Sequence, residues 1–342
     1  MGKREARLGV AVAILASFAL LLPACGGGTE DATGGAVEDE VLVAAYPGLE
    51  SAYQGALEPA FQKYLRIFDE RVGFGYAFGE SEDQSRAVAD GQPASIVHFE
   101  QVGDMERLVD AGVVDADWEE QPYRGIMHRT VIVYVVRKDN PKQVHKIQDL
   151  LRDDVDIIVP NPFRSTAGRW GVMSAYATLI NERKSESEAL AGVRRLLEKA
   201  VGQPDSAPEA LEAFLGGQGD VLLTYESEAI KAVEEGKGKH LRFVVPHQTM
   251  LVEAPIALTE DASPAAEEFL DFLWSEEGQL LWAEEGYRPA DPSMVNQERF
   301  FPRFAFKIER FGGWAEVNEE FFDEETGSVT IIEKELGVPT SG

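Results

Sequence analysis

The chain has 342 residues, 60 acidic against 32 basic, and a formal net charge of −28 at pH 7. That length buries a large core and suits two lobes, while the acidic excess excludes a nucleic-acid surface, which needs clustered Lys and Arg. Cys25 is the only cysteine, so no intrachain disulfide is possible.

In chain order, Lys3, Arg4 and Arg7 precede an apolar run, Leu8 to Leu22, that ends in Leu22-Pro23-Ala24-Cys25. Charged, apolar and small-residue regions in that order read as an export signal over residues 1–24, with Cys25 as the point of lipid attachment. Residues 25–40 are rich in Gly, Thr, Ala and acids and have no apolar period, as a flexible tether should. The expected location is therefore the outer face of the cytoplasmic membrane, in the periplasm or at the cell surface, held by a lipid anchor. The folded part starts near Val41.

Beyond the tether, apolar strand-like runs alternate with amphipathic helical ones, the pattern of an α/β protein. Strands are expected at Val41–Tyr46, Val72–Ala77, Ala94–Phe99, Val131–Arg137, Val155–Val159, Val221–Thr224, Leu241–Val245 and Pro255–Leu258. The periodicity predicts helices over Ala52–Phe68, from Glu82, and over Glu188–Ala200, Pro208–Leu215, Ser227–Glu235 and Pro264–Trp274. The first of these carries Tyr53, Ala56, Leu57, Phe61, Tyr64, Leu65 and Phe68 on its buried side.

The most informative stretch follows the Val155–Val159 strand: Asn161-Pro162-Phe163-Arg164-Ser165-Thr166-Ala167-Gly168-Arg169-Trp170. A small-residue turn that opens a helix directs several backbone N–H groups, and the positive end of the helix dipole, at one point. That is a site for an oxyanion.

This stretch resembles the Asn-Pro-Lys-Ser/Thr-Ser-Gly-Gly-Ala-Arg-Trp signature of the sulfate- and thiosulfate-binding proteins. Further segments fall in that family's order: Arg137-Lys138-Asp139-Asn140-Pro141-Lys142-Gln143-Val144-His145, Gly219-Asp220-Val221-Leu222, Ser275-Glu276-Glu277-Gly278-Gln279, Tyr287-Arg288-Pro289 and Phe311-Gly312-Gly313-Trp314. The resemblance implies a two-lobed periplasmic-binding-protein fold of type II, with two crossovers and the ligand in the interlobe cleft. Lobe 1 would be residues 41–130 and 251–342, and lobe 2 residues 131–250.

It also implies the site. Ser165, Thr166 and Ala167 match the central donor loop, Ser81 the ligand-binding serine of a second loop, and Tyr225 the position of an indole donor. Ser206 replaces an alanine whose N–H binds ligand. Pro47 lacks an N–H that the family uses, and Gly48 or Leu49 would stand in for it if the loop shifts. Arg169 supports the loop through peptide groups, and Glu80, Glu82 and Asp83 must point away from an anion, or the ligand differs. The ligand would be sulfate or a related tetrahedral oxyanion, delivered to an ABC permease and its ATPase, with no metal and no cofactor.

Another oxyanion, phosphate or molybdate, stays open, since Asp205 could accept a ligand proton. An exported sensor lipoprotein is a further alternative, as is a hydrolase. An enzyme is not expected: His98, His128, His145, His240 and His247 show no metal-ligand spacing, and Ser165 lacks a Gly-x-Ser-x-Gly elbow.

Overall fold

The computed structural model describes residues 40–68, 70–234, 240–294 and 301–340. The signal segment, Cys25 and all but the last residue of the tether lie outside the described residues.

Eleven strands form one mixed sheet: β1 Glu40–Ala45, β2 Gly73–Phe78, β3 Ile96–His98, β4 Ile126–Arg137, β5 Ile157–Ile158, β6 Ala200–Gly202, β7 Val221–Tyr225, β8 Leu241–Val244, β9 Gln248–Leu258, β10 Arg288–Pro289 and β11 Phe304–Phe306. Their order along the main path is β2-β1-β3-β9-β4-β7-β5-β6. Two long antiparallel strands carry the middle. The first half of β4 pairs with β9, Thr130 opposite Val252 and Val131 opposite Leu251. Its second half pairs with β7, Ile132 opposite Tyr225, and with β8.

Sequence periodicity caught only the apolar parts of both, Val131–Arg137 and Pro255–Leu258. The residues that extend them, from Ile126 and from Gln248, alternate too weakly to read as strand. Pairing across the sheet makes them strand.

Separate apolar cores flank this spine. One gathers β1 with Tyr53, Phe61, Phe269 and Trp282. The other gathers the second half of β4 with Trp170, Leu196, Trp314 and Phe321. The C-terminal segment therefore departs from its expected grouping of 251–342 with 41–130. Phe306, Trp314, Val317, Phe321 and Ile332 belong to the core around the helix Thr166–Asn181. Their apolar faces match that helix, which is buried on nearly every side.

The helical run after β1 also differs in detail: Glu50–Ala52 and Glu58–Leu65 are joined by a π turn at Tyr53–Leu57. Phe68, expected inside, is 58% exposed because the helix outruns the core beneath it.

β1, β2, β3, β5 and β7 end in loops that meet, the usual place for a ligand in an α/β sheet. One glycine fixes how closely. A Cβ on Gly168 would lie 2.3 Å from Pro160 O and 2.8 Å from the Asn161 carbonyl carbon, so the helix start presses on the Asn161 loop without room for a methyl group. Gly168→Ala is expected to destabilise the protein by about 1–3 kcal/mol, read as a lower urea midpoint with an unchanged slope.

Candidate functional site

The Thr166 helix begins at a serine that does not cap it: Ser165 is extended (φ −133°, ψ 126°) and its hydroxyl accepts no helix N–H. The first-turn N–H groups of an uncapped helix need another acceptor. For Thr166 that acceptor is Glu80, whose Oε2 lies 2.9 Å from Thr166 N. Glu80 follows β2 and precedes the helix Ser81–Ala89, so this bond ties the end of one strand to the helix start after another. The expectation that Glu80 points away from the anion position is corrected. Its carboxylate accepts the N–H that an anion at this helix start would use.

The other donors divide sharply. Ser165 N–H is taken by Asn161 O at 2.8 Å, which leaves the hydroxyl, buried beside the Glu80 carboxyl without a well-aligned hydrogen bond. Ala167 is buried in the same first turn. Ser81 is the first residue of its helix and not its cap; Glu80 holds the cap position. Its Oγ donates to Asp104 at 2.8 Å and accepts Glu100 N–H at 3.1 Å. Ser81 thus positions the wall of the site and has no free hydroxyl hydrogen.

Ser206 caps its own helix, Ala207–Leu215, through Glu209 N–H. Asp205 is exposed, with its N–H on Glu209, so its carboxylate is no buried proton acceptor. Local capping motifs compete for short polar side chains, and here they win.

Pro47 opens a 3-10 turn, where a missing N–H costs nothing. Leu49 N–H goes to Tyr46 O, so of the substitutes for Pro47 only Gly48 keeps its donor from that turn. Gly48 O accepts from Tyr287 Oη at 2.8 Å and Lys231 Nζ at 3.1 Å. A Cβ on Gly48 would meet Glu228 Oε1 at 2.9 Å, so a side chain there requires the Glu228 carboxylate to shift.

Arg169 stands behind the loop. Its Nε donates to Pro162 O at 3.0 Å and its Nη1 meets Asn318 Oδ1 at 3.3 Å and Glu82 Oε2 at 2.9 Å. Glu82 is turned to Arg169 and Arg86, which hold its carboxyl below the usual range against the effect of burial.

Two features escaped the sequence reading. Glu100, just past β3, is 4% exposed and faces Tyr225, Glu80, Asp104 and Glu228. Burial, with those carboxylates adding to it, raises its carboxyl well above the ordinary value. Burial thereby favours its protonated form, and a protonated carboxyl can donate its own O–H. Tyr225, at the end of β7, is buried, and burial and then Glu100 keep its phenol protonated. The other is a neutral histidine pair. His98 accepts or donates at Tyr53 Oη across 2.8 Å, burial lowers its pKa to about 3, and its ring centroid lies 4.9 Å from that of His128. A Glu after an apolar strand and a His within one were the available signals, and neither is distinctive.

This arrangement, strand ends gathered into a donor-rich cleft on a sheet shared by separate cores, defines a solute-binding protein. Residues 41–288 match the bacterial extracellular solute-binding protein family, and the chain belongs to that family. It is an exported binding protein, not an enzyme. Its relatives lie among the sulfate- and thiosulfate-binding proteins. A sulfate-binding protein of Synechococcus elongatus is 29% identical over 322 residues, 91% of each chain. A thiosulfate-binding protein of Pseudomonas aeruginosa is 32% identical over 309 residues, 85% of this chain and 92% of that one. The solved structure of the sulfate-binding protein SubI from Mycobacterium tuberculosis H37Rv superposes with a TM-score of 0.75 at 34% identity, covering 83% of this chain and all of that one.

Glu100 has a measurable signature. Its folded pKa is raised above the unfolded value of about 4.3, so any stability it contributes is complete below that value and declines as pH rises toward the folded pKa. Glu100→Gln should remove this decline: the stability difference, variant minus wild type, grows as pH rises from about 4.3, measured by thermal melts at matched pH.

Proposed function

We propose that this protein captures sulfate or thiosulfate in the cleft and delivers it to an ABC permease driven by a separate ATPase. One observation carries the reading: the uncapped start of the Thr166 helix, already bonded to a carboxylate oxygen at 2.9 Å, with Ser165 Oγ and Tyr225 Oη buried beside it. A site that holds a carboxylate through backbone N–H groups holds another oxyanion by the same means.

The donors are Thr166 and Ala167 N–H, the Ser165 and Tyr225 hydroxyls, Gly48 N–H and, when protonated, Glu100. Hydrogen bonds to a charged group contribute about 1.5–3 kcal/mol each, and micromolar binding needs about −8 kcal/mol. These groups therefore suffice after desolvation without a cationic side chain. β4 and β9, which run through both cores, supply a hinge, and the lobes close on the ligand by bending there. The proposed boundaries fall inside those strands, near residues 130 and 250.

Titrating the purified protein with sulfate, thiosulfate, phosphate and molybdate tests this. Sulfate or thiosulfate should bind at least about tenfold tighter than phosphate at neutral pH, because a protonated ligand faces donors and loses about 1–3 kcal/mol of hydrogen bonding. Ser165→Ala should weaken sulfate binding by about tenfold or more, and Tyr225→Phe by less, with circular dichroism unchanged. Hydrogen phosphate is the second reading, favoured by the Glu80 and Glu100 carboxyls if they accept a ligand proton. Tighter phosphate than sulfate would establish it.

We further propose that Cys25 carries the lipid that holds the protein at the membrane face. The mass of the mature protein should correspond to a chain starting at an acylated Cys25, whereas an unmodified Cys25 behind a retained Met1 would refute the anchor.

A further inference from the structure

We propose that Glu80 is a tethered competitor for the ligand: its carboxylate accepts the Thr166 N–H, and an incoming oxyanion must displace or neutralise it. The inference rests on the sulfate reading and adds a proton to it.

The geometry supports competition. An anion bound at the first turn of the Thr166 helix needs the donor that Glu80 Oε2 holds at 2.9 Å, and Ser165 Oγ lies beside the same carboxyl. Glu80 stands at the cap position of the helix Ser81–Ala89, so the competing group is a side chain and not loop backbone.

The groups that face it come from every neighbouring element. From its own helix come Asp83 and, turned away to Arg86 and Arg169, Glu82. From the opposite helix come Thr166 N–H, Ser165 and Arg169. Glu100 faces it from the end of β3 and Tyr225 from the end of β7. Arg164 is exposed at the rim of the small adjoining cavity, where solvent screens it.

Arg169 offers a displaced carboxylate little, being committed to Pro162 O, Asn318 and Glu82. A bound dianion thus leaves the ionised form of Glu80 without a favourable partner. The carboxyl takes a proton from solvent: carboxylate, proton and sulfate dianion go in, and the complex holds a neutral acid beside bound sulfate.

The sign follows from the environment. Burial, ahead of the Thr166 bond that opposes it, raises the Glu80 carboxyl to about 7 in the empty site, and a dianion raises it further. Sulfate carries no titrating proton in this range. Its affinity should be level below about pH 6 and fall above pH 7 by up to about tenfold per unit.

Calorimetric titration of sulfate into the purified protein between pH 5.5 and 8.5, in buffers of different ionisation enthalpy, reads both affinity and protons taken up. The wild type should take up close to one proton at pH 8. Glu80→Gln and Glu80→Gly should abolish the uptake, flatten the pH profile and bind sulfate about tenfold tighter than wild type at pH 8. In the ligand-free protein the Thr166 amide resonance should titrate near pH 7, and Glu80→Gln should remove that titration.

Weaker sulfate binding by both variants at every pH would overturn the proposal and make Glu80 a clasp that helps closure. Sulfate binding with a flat wild-type profile would overturn it while leaving the sulfate reading intact. Phosphate binding in place of sulfate, lost in Glu80→Gln, would overturn both and assign Glu80 as acceptor of a ligand proton.

Discussion

A buried helix start without a cap must find an acceptor for its N–H groups, and much of this cleft can be understood from that need. The Thr166 helix is apolar nearly all round and locked into the larger core, so it cannot turn its first turn to water. Ser165, the natural capping residue, is held extended by the bond from its own N–H to Asn161 O, and its hydroxyl stays out of the helix. The Asn161 loop is in turn held by Arg169 on Pro162 O and by the close approach at Gly168. What remains is the proposed anion site, made by backbone geometry with the helix dipole behind it.

Local donors have to work inside an unfavourable field. A net charge of −28 repels oxyanions at distance, but salt screens that field within about 8 Å at physiological ionic strength. Inside the cleft the nearby acids are managed one at a time. Glu82 is tied to arginines, Asp104 to Ser81 and Arg107, and Glu226 to Arg288 by paired bonds of 2.7 and 2.9 Å. Burial raises the Glu100 carboxyl and so favours its uncharged form, which lessens its repulsion of a nearby anion. Glu80 alone among these sits where its charge changes close to neutral pH, and it does so on the donor that matters.

The sheet explains how such distant segments meet. β4 pairs with β9 along its first half and with β7 and β8 along its second, so one continuous strand belongs to both cores. Loops after β1, β2 and β3 on one side and β5 and β7 on the other then face each other across it. In the proposed capture by closure, a bend in β4 and β9 would alter the distance between those loop sets without disturbing either core.

Much of this was legible in the residues. The alternation of apolar runs identified the α/β class, and Asn161 to Trp170 marked a strand-turn-helix junction because small residues, proline and a following helix form a pattern that is local in the chain. The place of Arg169 behind the loop, where it bonds Pro162 O, came from the family resemblance. The roles of Ser81, Ser206 and Asp205 were not legible, since a short polar side chain bonds whichever group packing brings near, and only the packing put Asp104 against Ser81 and left Ser206 to its own helix. Glu80 was read as facing away, an argument from charge alone. The structure turns it inward because the unfilled N–H of Thr166, 86 residues further along the chain, is its best partner. The chemistry of each loop was written in its own residues; which carboxylate meets which donor was decided by strands that bring distant loops together.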